Sequence, residues 1–598
     1  MNYLLVMPRG LADNNMASFP LGLPYISAAM KQAGYAVHTL NLEYVDSDIR
    51  TALEDKILND DIDVICTGGL SRDCHKVLEI FSTARKIKAD IITIAGGGLI
   101  SSDPETAMAV IKPDIGVIGE GEITICELAH ALDNKLAYHN IDGLIYWDAA
   151  KSLKQTSPRK VIANLDSLPF PDFDGFGYRK WSNENKNLGF ILSDRSCPFK
   201  CTFCFNPTGN VYRQRSLDNI FEEIDFQVRN YGIRYFSFVA ELFATKEKRV
   251  REFCVRMKSY DLTWSCCLRV SDANEALVNE MKSSGCIIFS TGFESADDSI
   301  LKSMRKGTKA AQIENAVTVT SNCGMQMAGA FIFGDKNETT ETVKNTIEFW
   351  WKCDGKVKID LVLLIPFPGT ESYNYACENG LIKDKKQYLL DGCPAINISK
   401  LTDREYFEMR SLIMELNLRS RQLAGSVNLI GIDKQGNCQT EWTCRHCKKL
   451  HQTNVFFWFT ESCNCCECNA MNEIITFKQF THDQEYFVKN LPGDGEIALW
   501  GAGGIYYEIN LVYDCFADSR FTLIDGNKDI HGRMRCKKLI NSSDVINDHK
   551  IESVVILALS HKDSIAKIIK RAYPIVKNIF VPDFDIISDK PLPVIKNL

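Results

Sequence analysis

No stretch of this 598-residue sequence stays apolar for the ~18 residues that a membrane-crossing helix needs, so no spanning segment is expected. The opening run, MNYLLVMPRG, lacks the charged start, apolar core and small-residue cleavage site of a secretory signal. It reads instead as a buried strand running straight into a loop. Long basic runs are missing and the formal net charge is only -7, which leaves no electrostatic case for nucleic acid as a main partner. Internal repeats and low-complexity tracts are missing too. These absences point to a cytoplasmic chain of ordinary globular domains, too long for one core.

What the sequence has in quantity is cysteine, 23 in all. In a secreted chain that number would suggest disulfides. Here the cysteines gather at metal-ligand spacings in a large chain without a signal, so reduced thiolates holding metals are the expectation.

The fold class reads as α/β throughout. Residues 1–140 alternate helical stretches with short apolar runs at Tyr3–Met7, Ala36–Leu40, Asp63–Thr67, Ile91–Ala95 and Ile115–Ile118. Runs buried on both faces and spaced by helices predict a doubly wound parallel sheet, which binds ligands in loops at the carboxyl ends of its strands. Those loops are glycine-rich, at Gly68-Gly69, Gly96-Gly97-Gly98 and Gly119-Glu120-Gly121. A linker over 141–187 contains the helix-breaking run Leu168–Asp172. A second βα series spans 188–380, with strands predicted at Leu188–Ser193, Tyr235–Val239, Leu262–Arg269, Cys286–Gly292, Gln326–Gly334 and Lys358–Ile365. Six such units predict a partial β/α barrel. A helical extension over 381–435, a cysteine-rich module over 436–475 and a Rossmann-like βαβ domain over 490–598 complete the chain.

Directly after the first strand of the second series stands Cys197-Pro-Phe-Lys-Cys201-Thr-Phe-Cys204. Three thiolates can bind three irons of a four-iron cluster and leave the fourth open, and the carboxyl end of a barrel strand is where this architecture keeps its chemistry. The run resembles the signature of the radical S-adenosylmethionine superfamily over roughly Leu188 to Pro368. The resemblance implies a [4Fe-4S] cluster on Cys197, Cys201 and Cys204, with S-adenosylmethionine chelating the open iron. One electron then cleaves that cofactor to methionine and a 5′-deoxyadenosyl radical. It also implies cofactor contacts from Phe203, Arg269, Gly292 and Glu294, with Met304–Thr308 and Pro366–Thr370 as supporting stretches. Where relatives often end the second strand with aspartate, this sequence has Ala240 followed by Glu241, and Glu241 becomes the candidate contact there.

The first domain resembles the cobalamin-binding domain of the same family, through Pro20–Leu23, Gly96–Gly98 and Gly119–Glu122. That resemblance implies open glycine loops, with Gly96, Gly97, Gly119, Glu120 and Gly121 around the corrin and its tail. Asp73-Cys74-His75 is similar to a cobalt-ligating motif, but Leu78 replaces its final glycine and it follows the third strand. Cobalamin without a histidine lower ligand is therefore expected, with Leu70-Ser71-Arg72 beneath the cobalt.

Cys444-Arg-His-Cys447 and Cys465-Cys-Glu-Cys468 are two knuckles that give four thiolates for a zinc ribbon, or alternatively for an auxiliary iron–sulfur cluster. Cys463 and Cys466 offer a competing pair, Asn469 favours the first choice, and His446 and His451 read as bystanders. Trp500-Gly501-Ala502-Gly503-Gly504 between a strand and a helix, with Asp525 ending the next strand, suits a nucleotide phosphate and ribose. A docking or substrate-presenting role fits equally well. The segment resembles the last domain of some sugar methyltransferases.

The resemblance implies methyl transfer to an unactivated carbon or phosphorus centre, fed by an electron donor such as flavodoxin or ferredoxin. A radical oxidoreductase, cyclase or rearrangement enzyme on the same cofactors is the alternative, and a cobalamin or redox sensor the third. A small-molecule or natural-product substrate, with a nucleotide-linked sugar as one class, is the expected partner.

Overall fold

The computed structural model describes residues 1–9, 19–45, 47–206, 209, 211–239, 241–353, 356–419, 424–432, 438–455, 461–468, 471–474, 491–503, 506, 516, 518–528, 531–535, 538–558, 562–583 and 594–597. It divides into two compact units, Met1–Tyr406 and Phe407–Leu598.

The first unit opens with strands β1 (Asn2–Met7), β2 (Ala36–Asn41), β3 (Val64–Gly68), β4 (Ile92–Gly96), β5 (Ile115–Val117), β6 (Leu144–Trp147) and β7 (Leu153–Gln155). They lie in the order β2-β1-β3-β4-β5-β6-β7, with the first five parallel and the last two antiparallel. The chain passes to opposite sides of β1 on its way to β2 and β3, and the crevice that this reversal opens is where such sheets take ligands. The stretch read as a linker is partly structured: β6 and β7 form a hairpin on the sheet edge. Alternation there is short and carries polar residues, as an antiparallel edge allows.

The second series supplies β8 (Leu188–Ile191), β9 (Asp194–Arg195), β10 (Arg213–Gln214), β11 (Tyr235–Phe238), β12 (Thr263–Cys267), β13 (Cys286–Glu294), β14 (Gln326–Phe333) and β15 (Lys358–Leu363). Six of these make a parallel sheet in the sequential order β8-β11-β12-β13-β14-β15, while β9 and β10 pair as a separate ribbon. Among the described residues β8 and β15 are not paired, so the barrel is open. Local signals set its helices. Leu217–Tyr231, for example, starts at Ser216, whose side chain accepts from Asn219 N–H, and stops at Gly232 with φ 70°. The two sheets share a core: Leu4, Val6, Ile65 and Leu99 from the first pack in one cluster with Ile300, Met304, Leu364 and Tyr373 from the second.

Past the barrel come helices Lys385–Leu390 and Asp403–Arg419. The helical extension expected to 435 ends early, because Ser426–Ile432 is a strand, β16, paired antiparallel with β17 (Cys438–Thr443). Its run of β-branched and apolar residues is better suited to a pleated pair than to a helix. β18 (Leu450–Val455) completes that sheet, and β19 (Glu461–Asn464) pairs with β20 (Met471–Ile474). The last sheet contains β21 (Ile497–Trp500), β22 (Phe521–Ile524), β25 (Ser553–Ile556), β26 (Asn578–Asp583) and β27 (Val594–Asn597), with a two-stranded ribbon of β23 (Met534–Arg535) and β24 (Lys538–Leu539) beside it. Its order is β22-β21-β25-β26-β27, parallel except for the last strand.

Candidate active site

The loop that carries Cys197, Cys201 and Cys204 leaves the carboxyl end of β8 and is pinched at its base, where Arg195 of β9 faces Arg213 of β10. Its first residue, Ser196, is buried with φ 71°, a left-handed conformation costly for a side chain with a Cβ, and Arg213 reaches its Oγ at 3.4 Å. The far side is tied to the turn after helix Asp298–Ser303. Thr202 N–H donates to the Met304 carbonyl at 3.1 Å, and the Cys201 Sγ lies 3.9 Å from the Arg305 carbonyl. Phe203 is half-buried against the shared core rather than free at the mouth. Burial raises the Cys197 and Cys204 thiols, and the nearby Glu241 carboxylate adds to both. Burial also raises Cys201, against the pull of Lys306 and Arg269. Among the described residues the triad is not one of the groups whose ligand atoms all close within 4.8 Å.

Behind the triad, Glu294 and Lys306 form a half-buried ion pair at 2.6 Å. Burial would lower the Lys306 ammonium, but the carboxylate outweighs it and the net shift is upward. Glu294 has φ 62°, and a Cβ at Gly292 would stand 2.0 Å from its Oε1 and 2.6 Å from Lys306 Nζ. Gly292 is therefore the space into which the pair folds. Arg269 does not pair with Glu294. It donates to the Lys306 carbonyl at 2.7 Å and to Thr308 Oγ1 at 3.3 Å, and its guanidinium lies 3.6 Å from the Phe199 ring centroid. It thus bridges the cysteine loop and the Met304–Thr308 turn.

The glycine loops of the first sheet touch backbone to backbone. A Cβ at Gly68 would be 2.5 Å from the Gly96 carbonyl oxygen, and one at Gly97 (φ 76°) 3.0 Å from that of Gly69. Gly119 (φ 81°) faces open space. This glycine shelf with Leu70 exposed beside it fits a broad, flat ligand such as a corrin. Ser71 is buried, with its Oγ 2.9 Å from that of Ser102, and Arg72 is half-buried in the same turn. His75 is exposed on the first turn of helix Cys74–Ile87. Glu120 has a different task from the corrin contact expected of it. Its carboxylate accepts from Arg195 at 2.9 Å, from Arg213 at 2.8 Å and from Ile162 N–H at 2.6 Å, while Glu122 accepts from Arg195. Burial opposes the charge on Glu120, yet these donors leave it below the usual carboxylate range. Arg195, Arg213 and Lys306 were not legible as site residues. The available signal was the nearness of Arg195 to Cys197 and the place of Lys306 inside the Met304–Thr308 stretch.

In the second unit, Cys444, Cys447, Cys465 and Cys468 bring their sulfurs within 4.8 Å of one another, with Cys444–Cys468 at 3.6 Å and Cys447–Cys465 at 3.5 Å. Four thiolates about one zinc stand ~3.8 Å apart, given Zn–S of ~2.3 Å and tetrahedral angles. The knuckles fit that ion. Burial opposes the Cys444 thiolate, but the Cys447 and His446 amides and the Asn472 side chain bring it down to about 6. His451 stacks on Trp442 and places Nε2 3.2 Å from Cys465 Sγ, so it orients that sulfur. Gly501 (φ 119°) is required where β21 turns, since a Cβ would stand 2.9 Å from Ala558 N. Gly503 has open space around it. Asp525 accepts from Ala502 N–H and Asn527 N–H, both at 2.9 Å, and so braces the glycine loop from within. The side chain of Cys463, and Gly10, Ala240, Asn469, Gly504 and the later part of Asn454–Thr460, lie outside the described residues.

Residues 192–349 match the family model of the Radical SAM superfamily, and residues 15–129 that of the B12 binding domain. The uncharacterized methyltransferase PH0819 of Pyrococcus horikoshii is 31% identical over 373 residues, covering 61% of this chain and 79% of that one. The anaerobic magnesium-protoporphyrin IX monomethyl ester cyclase of Rubrivivax gelatinosus is 27% identical over 348 residues, covering 55% of this chain and 61% of the cyclase. Among solved structures, the radical S-adenosylmethionine methyltransferase TsrM from Kitasatospora setae, with tryptophan and a cofactor analogue bound, superposes with a TM-score of 0.54 at 21% identity, covering 63% of this chain and 76% of that one. At that identity the likeness concerns the fold. Among the described residues, no helix is long and apolar enough to cross a membrane.

Proposed function

We infer the activity from one premise: this chain belongs to the radical SAM superfamily, in the branch that carries a B12 binding domain. It is a cobalamin-dependent radical S-adenosylmethionine enzyme of the methyltransferase kind, and we propose that it methylates an unactivated carbon or phosphorus centre of a small molecule. The observation that carries this reading is the bond between the two cofactor loops. Glu120 and Glu122, beside the glycine shelf, hold Arg195 and Arg213, which close the base of the cysteine loop. Two cofactors that must act on one substrate would thereby be held in one buried frame.

Cys197, Cys201 and Cys204 would hold the cluster, and the loops at Gly68–Arg72, Gly96–Gly98 and Gly119–Gly121 the corrin. When bound, the cluster supplies single electrons and the corrin a cobalt that accepts and gives methyl groups, chemistry that side chains lack. The protein's own part is placement. Arg269, Glu241 and the Glu294–Lys306 pair offer fixed charges of both signs to the amino and carboxylate groups of S-adenosylmethionine. Phe203 and the shared core behind it exclude water. The four-cysteine site would hold a structural zinc ion. The sheet containing Gly501 and Asp525 would present the substrate, for which a nucleotide-linked sugar is a fitting class. Such chemistry needs a reducing, oxygen-poor compartment and a low-potential electron donor, so we assign the enzyme to the cytoplasm.

The deciding experiment is anaerobic. Protein reconstituted with iron, sulfide and hydroxocobalamin is given strong reductant and methyl-labelled S-adenosylmethionine, and products are followed by mass spectrometry. The expected result is 5′-deoxyadenosine together with S-adenosylhomocysteine and label on the corrin, the deoxyadenosine vanishing in Cys201→Ala. Deoxyadenosine without labelled corrin would replace methyl transfer by ring closure or oxidation, the reading to which the cyclase relative lends weight.

A further inference from the structure

We propose that the cationic surface around Cys201, made by Lys200, Lys302, Arg305, Lys309 and Lys336, is the docking site of an acidic one-electron carrier protein of the flavodoxin kind. The proposal rests on the assignment of the cluster to Cys197, Cys201 and Cys204.

The charge of this surface runs against that of the whole chain, which carries 76 acidic and 69 basic residues. Lys200, Lys302 and Lys309 are exposed and form no ion pair with any described residue. Arg305 and Lys336 share the Glu371 carboxylate, at 2.7 and 3.7 Å, and Asp298, one turn before Lys302, accepts from Ala310 N–H beside Lys309 at 2.8 Å. Five cations against the two carboxylates Glu371 and Asp298 leave a net positive local field that attracts an acidic partner and orients its approach.

The same surface is the short way to the cluster. Lys200 is the neighbour of Cys201 in sequence. The turn that carries Lys302 and Arg305 lies against the next residues, through Thr202 N–H to the Met304 carbonyl at 3.1 Å and Cys201 Sγ to the Arg305 carbonyl at 3.9 Å. A carrier seated on these side chains is separated from the Cys201 sulfur by little more than the loop itself. Among the cations, Phe199 is 39% exposed and is held from behind by the Arg269 guanidinium at 3.6 Å. A fixed aromatic ring within a ring of charge is the composition of a protein-binding spot. An anionic small molecule bound for the reaction would instead be drawn to the interior cations. Lys306, 14% exposed in its side chain, is already turned inward to Glu294.

The exchange is simple in its balance. The carrier loses one electron, the cluster gains one, and no covalent bond is made or broken at the contact.

The test uses the holoenzyme, an acidic bacterial flavodoxin, and the double variant Lys200→Glu/Lys302→Glu, with Lys309→Glu as a second variant. Iron content and the cluster's visible absorbance show that each variant carries its cluster. Calorimetric titration with oxidised flavodoxin at low salt should give binding that weakens about tenfold or more in the variants and fades with added salt in the native enzyme. 5′-Deoxyadenosine formation driven by reduced flavodoxin should fall by a similar factor, while formation driven by dithionite, which needs no docking, should change by less than about twofold. Unchanged flavodoxin binding would overturn the proposal. So would a parallel loss with both reductants, which would mark the surface as part of the cofactor or substrate site. If the native enzyme cleaves nothing even with dithionite, the cluster reading fails instead, and the binding titration alone decides the surface.

Discussion

Glu294 meets Lys306 at 2.6 Å across the position where Gly292 has no side chain. The three residues form one device: a left-handed backbone at Glu294, a cation brought back from the Met304–Thr308 turn, and a gap in β13 to receive both. Gly292→Ala places a methyl group 2.0 Å from Glu294 Oε1, so the pair must separate. The expected outcome is a loss of S-adenosylmethionine affinity of about tenfold or more, measured by anaerobic calorimetry, with a fall in stability of about 1–3 kcal/mol. Glu294→Gln should weaken binding as well, since it strands a half-buried ammonium. Native-like affinity in Gly292→Ala would separate the pair from the cofactor.

Glu120 holds two arginines of the β9–β10 ribbon at the base of the cysteine loop, and its side chain is only 3% exposed. Glu120→Ala leaves Arg213 buried without its counter-charge, and a cost of about 3–5 kcal/mol follows from breaking such a pair from one side. The pH dependence has a definite sign. The folded protein holds the Glu120 carboxyl below its ordinary value, so its contribution is complete above the unfolded value of about 4.3 and is lost as pH falls through the folded value. Melting temperatures of native protein and Glu120→Gln should therefore differ at neutral pH and converge in acid. A constant difference down to pH ~3 would remove the ion pair as the cause.

How far the sequence could be read depended on whether a residue acts through its neighbours in the chain or across the fold. The cysteine triad and the knuckles at Cys444–Cys447 and Cys465–Cys468 are local patterns, and strands β1, β3, β8, β13 and β14 follow from apolar runs too long to leave exposed. The β6–β7 hairpin was missed because its strands are too short to show alternation, and β16 because its Val427, Leu429 alternation breaks at the bulge between Leu429 and Gly431. Glu120 was legible as a member of a glycine loop but not as a partner of Arg213, which lies 93 residues away. No spacing rule reports such a contact. The same holds for Gly292, whose need becomes visible only when Lys306 is known to return to it.

The four-cysteine site should retain one zinc ion per chain after aerobic purification, measured by elemental analysis, because sulfur separations of 3.5 and 3.6 Å suit a single tetrahedral ion. Cys444→Ser should lose it. Removing the ion should increase amide exchange across Cys438–Thr443, Leu450–Val455 and Met471–Ile474, whose sheets are small and lean on the site. The strands of the first unit should keep their protection. Iron and sulfide in place of zinc would reassign the site to an auxiliary cluster.

Phe205 stands directly after the last cysteine of the triad and touches both sheets: a Cβ built on Gly98 would lie 3.5 Å from its ring and one built on Gly369 (φ 84°) 2.6 Å. It is therefore placed between the cluster loop and the corrin shelf, without being a ligand of either. Removing the ring in Phe205→Ala should leave the cluster intact, with native iron content, and should spare the formation of 5′-deoxyadenosine to within about threefold. What should suffer is the coupling of the two cofactors, because a displacement of about 1 Å between reacting groups costs about a hundredfold in rate. Methylated product per deoxyadenosine should thus fall by about tenfold or more, and Phe205→Leu, which restores part of the volume, should recover part of the ratio. If product and deoxyadenosine fall together, the ring supports the cluster rather than its alignment with the corrin.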